Sequence, residues 1–419
     1  MDIKAATRKL HNIFPALSHR NFRLFWIGQC ISLIGTWMQN IGQSWLVLEL
    51  TGSALKLGTI SAVQFLPMMV FSLFAGTLVD RYSKRKILII TQASLMILAA
   101  VLATITWLDI VQYWHILVLA LLLGIVNTLD MPVRQSFFIE LVGREDLMNA
   151  IALNSSIFNL ARIIGPAIAG IMMGLLGIAV CFYLNALSFL AVIIGLWLIK
   201  LPPKEQVARA VTSFKSIMAD IRDGLKYVVS QPVIYLPLIL LSVISAFVLN
   251  FNVLVPIFAS QNLGQNEVGY GLLMTCMGVG SFSGALIQSA RSGSGPKLKI
   301  MVAGALGASL FVLVMGFVRN YALACALLLL AGFGAIIFTT SVNSMIQLNS
   351  SDAMRGRVMS VYSLVFGGVI PIGSMYSGNV AEFLGAPVCM AISGAVGILA
   401  SLVIAGTITR KRHSRADSV

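Results

Sequence analysis

The chain has 419 residues, of which 58% are hydrophobic and only 11% charged, and its mean hydropathy is +0.91. Soluble domains average about 45–50% apolar and ~25% charged residues, so this composition excludes an ordinary soluble protein and indicates a polytopic membrane protein. The net charge of +14 would fit nucleic-acid binding if the basic residues formed one patch, but they recur between apolar segments.

Twelve apolar segments follow one another along the chain, each about long enough to cross a bilayer as an α-helix. Six lie in an N-terminal half, 1–200, and six in a C-terminal half, 233–408. The sequence therefore predicts an all-α membrane protein with twelve transmembrane helices in two six-helix pseudo-repeats around a central cavity. The predicted helices are 22–50, 55–79, 87–107, 114–134, 147–175, 178–200, 233–260, 268–290, 299–318, 321–347, 356–383 and 386–408.

Basic residues concentrate before the first segment and in every second loop, whereas the intervening loops hold little beyond Lys56 and Arg319. Loops rich in Lys and Arg stay on the cytoplasmic side of a membrane. The alternation predicts that both termini are cytoplasmic, and it explains the basic excess without a nucleic-acid partner. The N-terminus lacks a signal-peptide pattern, so we expect the first helix to be retained.

A polar linker, 201–232, separates the two halves, and a polar tail, 409–419, ends the chain. The linker begins with Pro202-Pro203 and continues with apolar residues at helical spacing from Phe214 to Val228. Such a weakly amphipathic stretch is typical of a helix that lies along the membrane surface.

The turn between the second and third segments carries an ordered set of residues, Gly76-Thr-Leu-Val-Asp80-Arg81-Tyr-Ser-Lys84-Arg85-Lys86. Glycine lets two helices approach closely, an acid at a helix end neutralises nearby N–H groups, and the cations hold the turn in the cytoplasm. An ordinary basic loop would account for the cations alone. The ordered pattern at this place resembles the loop signature of the major facilitator superfamily of secondary transporters.

Further motifs strengthen the resemblance and extend it over nearly the whole chain. They are Asn127-Thr-Leu-Asp130-Met-Pro132-Val-Arg134-Gln135, Arg162-Ile-Ile-Gly165-Pro166-Ala-Ile-Ala-Gly170 and Met354-Arg355-Gly356-Arg357. This set is similar to the branch that includes the enterobactin exporter and related drug-type effluxers. The resemblance implies a secondary transporter of the bacterial cytoplasmic membrane.

The resemblance also implies a gate at the signature loop. Asp80 would pair with Lys84 and with an acid of the fourth helix, first of all Asp130, and would face the start of the eleventh helix near Gly356. An anion opposite a helix N-terminus gains about 0.3–1 kcal/mol when exposed and up to ~2 when partly buried. The remaining cations of the loop are either part of the gate or lipid-facing anchors: Arg81 and Arg85.

Arg162 lies near the middle of the fifth segment. A central Arg costs at least ~2.5–3.5 kcal/mol on insertion scales, so it must pair or face water. Two interpretations stay open: a structural pair with a backbone carbonyl or with Asp130, or a cation that lines the cavity or relays a conformational signal. Asp130, beside Arg134, is the first candidate for a proton-coupling acid, and Glu49 is the second.

Gly165, Pro166 and Gly170 follow Arg162 on the same helix. Small residues allow close packing, and proline frees a carbonyl and bends the helix. The pattern resembles the Gly-Pro signature of exporters in this superfamily, although Ala161 and Ala169 stand where glycine is typical. It favours export over import.

Polar residues concentrate in the first, fourth, seventh and tenth segments, which line the cavity in this fold. Amides are costly against lipid, so we expect them to face inward, where some only bond neighbouring helices. Nearby aromatic residues fit either plain packing or a cavity for an amphipathic organic solute. The cavity-lining candidates are Gln39, Asn40, Gln43, Asn127, Asn250, Asn252 and Asn343.

No pattern points to catalysis, a cofactor or a metal. The four histidines are scattered, no nucleotide-binding loop is present, and the five cysteines lie in apolar surroundings without a CxxC pair, so we interpret them as small buried hydrophobes. Energy for transport must then come from an ion gradient.

The sequence therefore predicts a proton-coupled exporter of a small amphipathic organic compound, siderophore-like or drug-like, and not an enzyme. Its expected partners are the substrate, protons and membrane lipid, and we expect a monomer. Two alternatives stay open: an importer of a small polar metabolite on the same fold, and a membrane scaffold or sensor without transport.

Overall fold

The computed structural model of the protein describes residues 14–79, 83–200, 214–291, 295 and 297–416, and over these ranges it is helical, with no β-strand. A short 3-10 helix, Pro15–Ser18, precedes the α-helices. These are α1 (Arg20–Thr51), α2 (Ala54–Val79), α3 (Lys84–Trp107), α4 (Tyr113–Val142), α5 (Leu147–Leu176), α6 (Ile178–Leu198), α7 (Phe214–Ser230), α8 (Pro232–Phe247), α9 (Phe251–Ile257), α10 (Glu267–Ala290), α11 (Leu298–Met315), α12 (Tyr321–Asn349), α13 (Asp352–Leu384) and α14 (Ala386–Ala416).

Within the described residues, eleven helical segments are long and apolar enough to cross a membrane. The all-helical membrane fold predicted from the sequence is thereby confirmed. The first of the twelve predicted spans, α1, is not among the eleven, although its 32 residues exceed the ~20 that a span requires. Its interior carries Gln29, Gln39, Asn40 and Gln43, which lower its mean hydropathy. A twelfth span and the repeat arrangement stay predictions.

Two predicted helices are too short. The fourth was expected to end at residue 134 but continues through Pro132 to Val142, and the last continues to Ala416, so the expected tail begins inside a helix. The linker contains α7, in which Leu225 is exposed and Val228 is buried. The linker residues 201–213 lie outside the described part of the chain.

The seventh predicted helix is discontinuous. It consists of α8, a break at Val248–Asn250, then α9, which runs into a π-helical turn at Phe258–Asn262. At the break, the Asn250 carbonyl accepts hydrogen bonds from Val253 N (3.1 Å) and Leu254 N (3.0 Å), and its side chain donates to Ala246 O (2.7 Å). These bonds satisfy backbone groups that hydrocarbon would leave without partners.

The chain forms two compact units. The first comprises the described residues up to Gln43 and from Val70 to residue 200, and the second comprises 44–69 with the described residues from 214 onward. The helices α1 and α2 therefore each contribute to both units. This division differs from the predicted halves because the end of α1 and most of α2 pack with the C-terminal part of the chain.

The first unit has an aromatic core at one end of α1 and α4. Phe25 and Phe137 meet edge to face, with ring centroids 5.5 Å apart, and Phe22 and Phe138 extend the same buried cluster. Such edge-to-face pairs are favourable because the positive ring edge meets the negative face. The 3-10 helix is tied to the start of α5, since His19 Nε2 lies 2.7 Å from Asp146 Oδ2.

In the second unit, glycine brings helices into backbone contact. A Cβ on Gly280 of α10 would overlap the Leu329 carbonyl of α12, and a Cβ on Gly332 of α12 would overlap the Met277 carbonyl. Close approach through small residues is the usual way in which membrane helices associate, because lipid offers no hydrophobic driving force between them.

The same kind of contact joins α2 to α13. A Cβ on Gly58 would overlap the Ser374 carbonyl and lie 3.0 Å from Gly378 Cα, and the Ser61 and Ser374 hydroxyl oxygens are 2.9 Å apart. The turn before α2 is held by Glu382 of α13. Its carboxylate accepts from Ser53 Oγ (2.9 Å) and Leu55 N (3.1 Å), and so satisfies an N–H at the start of α2.

Gly280→Ala should lower the free energy of unfolding by about 1–3 kcal/mol, because the added methyl group meets backbone that cannot move aside. Gly307→Ala is the matched control, since its Cβ would meet only Phe311 Cε2 at 3.8 Å and should stabilise α11 slightly. Unfolding of the purified protein in detergent, followed by tryptophan fluorescence, measures both. Equal stability of the two variants would contradict the packing argument.

Candidate functional site

A buried carboxylate, Asp130, lies in α4 of the first unit and is only 1% exposed. One of its oxygens, Oδ1, accepts hydrogen bonds from Thr91 Oγ1 (2.7 Å) and Gln92 Nε2 (2.8 Å), which are adjacent residues of α3. Both donors are themselves buried. Two neutral donors thus bind one oxygen of the carboxylate and tie α3 to α4.

The other carboxylate oxygen of Asp130 accepts hydrogen bonds from Arg134, which lies one helical turn further along α4. Its Nε lies 3.1 Å from Asp130 Oδ2, and its Nη2 also bonds this oxygen. Residues four apart face each other on a helix, so the sequence spacing forms the pair. The Nη1 atom bonds Gln29 Oε1 of α1. The charged network therefore connects α1, α3 and α4.

Lys84 begins α3 and bonds α4 at another level. Its Nζ lies 3.3 Å from Glu140 Oε1 and 3.1 Å from the Ser136 carbonyl. Lys84 thus pairs with Glu140 of the fourth predicted helix, whereas the expected pairing of Asp80 with Lys84 and Asp130 falls outside the described residues. Asp130 is too far along the helices to reach Lys84, because its donors lie about seven residues beyond Lys84 on α3, roughly 10 Å away. Glu140 comes near Lys84 because α4 extends past residue 134.

Arg85 binds the end of another helix. Its Nε donates to the Leu196 carbonyl at 2.7 Å and its Nη2 to the Trp197 carbonyl at 2.9 Å, where α6 ends. The last carbonyls of a helix lack partners within it and carry partial negative charge, so a cation there stabilises the end. Arg85 therefore links α3 to the end of α6. This contact is different from the two roles expected for it, a part of the gate or a lipid-facing anchor.

Other residues of the expected gate are only partly described. Gly76 lies in the last turn of α2, whereas Asp80 and Arg81 fall outside the described residues. Gly356 lies in the first turns of α13, and a Cβ there would meet no described atom within 4 Å.

Arg162 of α5 lies against two adjacent aromatic rings. Its guanidinium carbon is 5.2 Å from the Trp37 ring centroid and 5.5 Å from that of Phe158, and the two rings meet edge to face. It makes no hydrogen bond or ion pair with any described residue, and its Nε is buried without a partner. Of the two open interpretations, the structural pair with Asp130 or with a backbone carbonyl is not present among the described residues, where Asp130 pairs with Arg134 instead.

Glycine and proline place these groups. A Cβ on Gly165 would overlap Trp37 Cβ and lie 3.2 Å from the Ile34 carbonyl, so glycine is required for α1 to approach α5. Pro166 has no N–H, and the carbonyl that loses its helical partner is that of Arg162 itself. Gly165, Pro166 and Gly170 are all buried.

The polar candidates of the first unit divide into two groups. Gln39 is 3% exposed and its Oε1 accepts a hydrogen bond from Asn185 Nδ2 at 2.6 Å, so it connects α1 to α6. Gln43 is also buried. Asn40 and Asn127 are half-buried, and their side chains make no hydrogen bond to a described residue.

The polar candidates of the second unit divide in the same way. Asn250 is buried at the helix break, and Asn343 Oδ1 accepts from Gln347 Nε2 at 2.6 Å. Asn252 is exposed and bonds no described residue. Two of the aromatic residues near these amides pack against tyrosines: Trp45 stacks on Tyr270 with centroids 5.6 Å apart, and Phe247 meets Tyr376 at 4.7 Å.

Glu49, the second candidate for coupling, is exposed near the end of α1. The five cysteines are free, and the described part of the chain contains no cluster of His, Cys, Asp and Glu that could hold a metal ion. Sequence reasoning missed four residues that complete the sites: Gln29, Thr91, Gln92 and Phe158.

The sequence profile of the family described as transmembrane secretion effector, a major facilitator family, matches residues 12–418. The chain belongs to this family. It is therefore a multi-pass membrane transporter of the bacterial efflux type and not an enzyme.

The transporter is similar to proteins that match most of its length. The staphyloferrin A transporter of Staphylococcus aureus is 26% identical over 391 residues, which cover 91% of this chain and 94% of the relative. The multidrug efflux pump Tap of Mycolicibacterium fortuitum is 27% identical over 347 residues, covering 81% and 84%. The crystal structure of the nucleoside transporter NupG superposes with a TM-score of 0.72 at 13% identity, covering 93% of this chain and 98% of that one.

Arg134→Gln should destabilise the transporter by about 3–5 kcal/mol, because it leaves the buried Asp130 charge without a counterion. Adding Asp130→Asn should recover most of this loss, since the double variant buries no unpaired charge. Arg144→Gln, at an exposed position, should change stability by less than about 0.5 kcal/mol.

Unfolding curves in detergent of the wild type, the two single variants and the double variant test the Asp130–Arg134 pair. A double variant less stable than Arg134→Gln alone would contradict the charge pairing.

Proposed function

We propose that the transporter is a secondary active exporter of a small amphipathic organic compound, driven by the proton gradient across the bacterial cytoplasmic membrane. The observation that carries the proposal is the family match over 12–418, together with relatives named as a siderophore transporter and a drug efflux pump. In the described membrane-spanning helices, amides without side-chain partners, aromatic rings and the unpaired cation Arg162 together support an amphipathic substrate over a purely polar one.

Asp130 is the proposed coupling acid. It is the buried acid of the described membrane-spanning helices, and it is bound to donors of three different residues. Proton uptake by its carboxylate would remove the charge that Arg134 binds and so loosen the link between α1, α3 and α4. A proton can thereby bias one conformation over another, as coupling requires. Glu49 is the second candidate.

The Gly165-Pro166 element supports export. It fixes the approach of α1 to α5 and leaves the Arg162 carbonyl unbonded within its helix, so the helix can bend there. The resemblance of this element to the exporter signature favours efflux over the import of a polar metabolite. A membrane scaffold without transport is excluded by the membership in a transporter family.

The topology completes the proposal. Twelve spans in two six-helix halves around a central cavity, with both termini cytoplasmic, agree with the Lys and Arg distribution. The signature loop with Gly76, Asp80 and Arg81 would then lie in the cytoplasm and close against the start of α13 near Gly356. We propose that the transporter acts as a monomer, because a single chain of this fold contains both halves of the path.

Everted vesicles that contain the transporter should release protons when a substrate is added, because each substrate molecule enters in exchange for protons. Dequenching of acridine orange by a panel of amphipathic compounds measures this. Asp130→Asn should abolish the proton release while downhill movement of the same compound continues. A response that requires sodium and survives a protonophore would contradict proton coupling.

Asp80→Asn should leave the protein in the membrane but reduce transport strongly, because it removes the charge of the gate without changing the shape of the side chain. Asp109→Asn is the matched control. Asp109 has a φ of 57°, in the left-handed region that Asn also tolerates, in the turn between α3 and α4. Initial transport rates at equal protein abundance compare the two, and equal rates would refute the gate.

A further inference from the structure

The Arg162 guanidinium has no anionic partner among the described residues. Within the first unit, the buried acid Asp130 is already bound by Arg134. The rest of α5 contains no charged residue, and α1 carries charges only near its two ends. No described side chain therefore neutralises Arg162.

Cation–π contacts alone do not explain this arrangement. The two rings lie over the guanidinium at 5.2 and 5.5 Å, and such contacts contribute about 0.5–2 kcal/mol. A central Arg costs at least ~2.5–3.5 kcal/mol on insertion scales, and an Arg at this depth usually marks a substrate path. The rings hold the cation in place but leave its charge available.

The hydrogen-bonding groups point to a ligand. Nε is buried without a partner, and the terminal nitrogens form no hydrogen bond or ion pair with a described residue. A guanidinium with its end free presents parallel N–H groups that match the two oxygens of a carboxylate. Phe158 is 39% exposed beside it and provides an apolar surface next to the cation.

We infer that Arg162, held against Trp37 and Phe158, binds a carboxylate of the transported compound, so that the substrates are amphipathic organic acids with an apolar part beside Phe158. The inference rests on the proposed transport function and specifies its substrate class. Gly165 contributes by bringing Trp37 against α5, which fixes the ring over the guanidinium.

Thermal unfolding of the full chain in lipid nanodiscs tests the site with 2-naphthoate and its neutral analogue 2-naphthamide. The wild type should be stabilised by naphthoate at concentrations at which naphthamide has no effect. Arg162→Gln should weaken the apparent affinity for naphthoate roughly tenfold or more, because a charge-assisted pair of hydrogen bonds is lost. Arg162→Lys should keep part of the affinity, since it keeps the charge without the planar fork.

Arg144→Gln is the control for a general loss of positive charge and should behave as the wild type. Equal stabilisation by naphthoate and naphthamide, no stabilisation by naphthoate, or an unchanged naphthoate response in Arg162→Gln would overturn the inference. A lower unfolding temperature of Arg162→Gln with unchanged selectivity would identify the cation–π contacts as purely structural.

The proposed function is tested separately by proton release in everted vesicles. Proton release with neutral compounds but no preference for naphthoate would contradict the carboxylate site and leave proton-coupled export standing. Arg162-dependent binding of naphthoate without proton release for any compound would contradict the coupling and leave the site standing.

Discussion

Hydrocarbon supplies no hydrogen-bond partner, and this constraint decides where each polar group of the membrane-spanning helices lies. Asp130 can be buried only because α3 and Arg134 bring donors to both of its oxygens. In bonding them, it fixes three helices of the first unit relative to one another. The discontinuity between α8 and α9 obeys the same rule, since the Asn250 carbonyl and side chain bond the backbone groups around it.

The charged side chains of the first unit differ in whether they have a partner of opposite charge among the described residues. Asp130 and Arg134 neutralise each other, and Lys84 meets Glu140 at another depth. Arg162 has no such partner, and the aromatic rings that it contacts cannot neutralise its charge. A structural network and a recognition element can thus be distinguished by whether the charge has a partner within the described chain.

The fold class followed from composition and the length of the apolar segments, because both reflect burial in lipid directly. The partners of the charges did not follow. No expectation from the sequence paired Asp130 with Arg134, although a spacing of four residues allows it. The Lys84–Glu140 contact depends on how far α4 continues beyond Pro132, which local sequence does not determine. The donors Thr91 and Gln92 lie within an apolar segment, and only the packing of α3 on α4 reveals their use.

At Gly58 and Gly378 the contact of α2 with α13 brings backbone atoms of the two helices together. Separation of the helices at these two positions requires no change of a side-chain rotamer, because glycine has no side chain to rearrange. The register of the two helices is marked instead by polar side chains, since Ser61 bonds Ser374 and Glu382 bonds the start of α2.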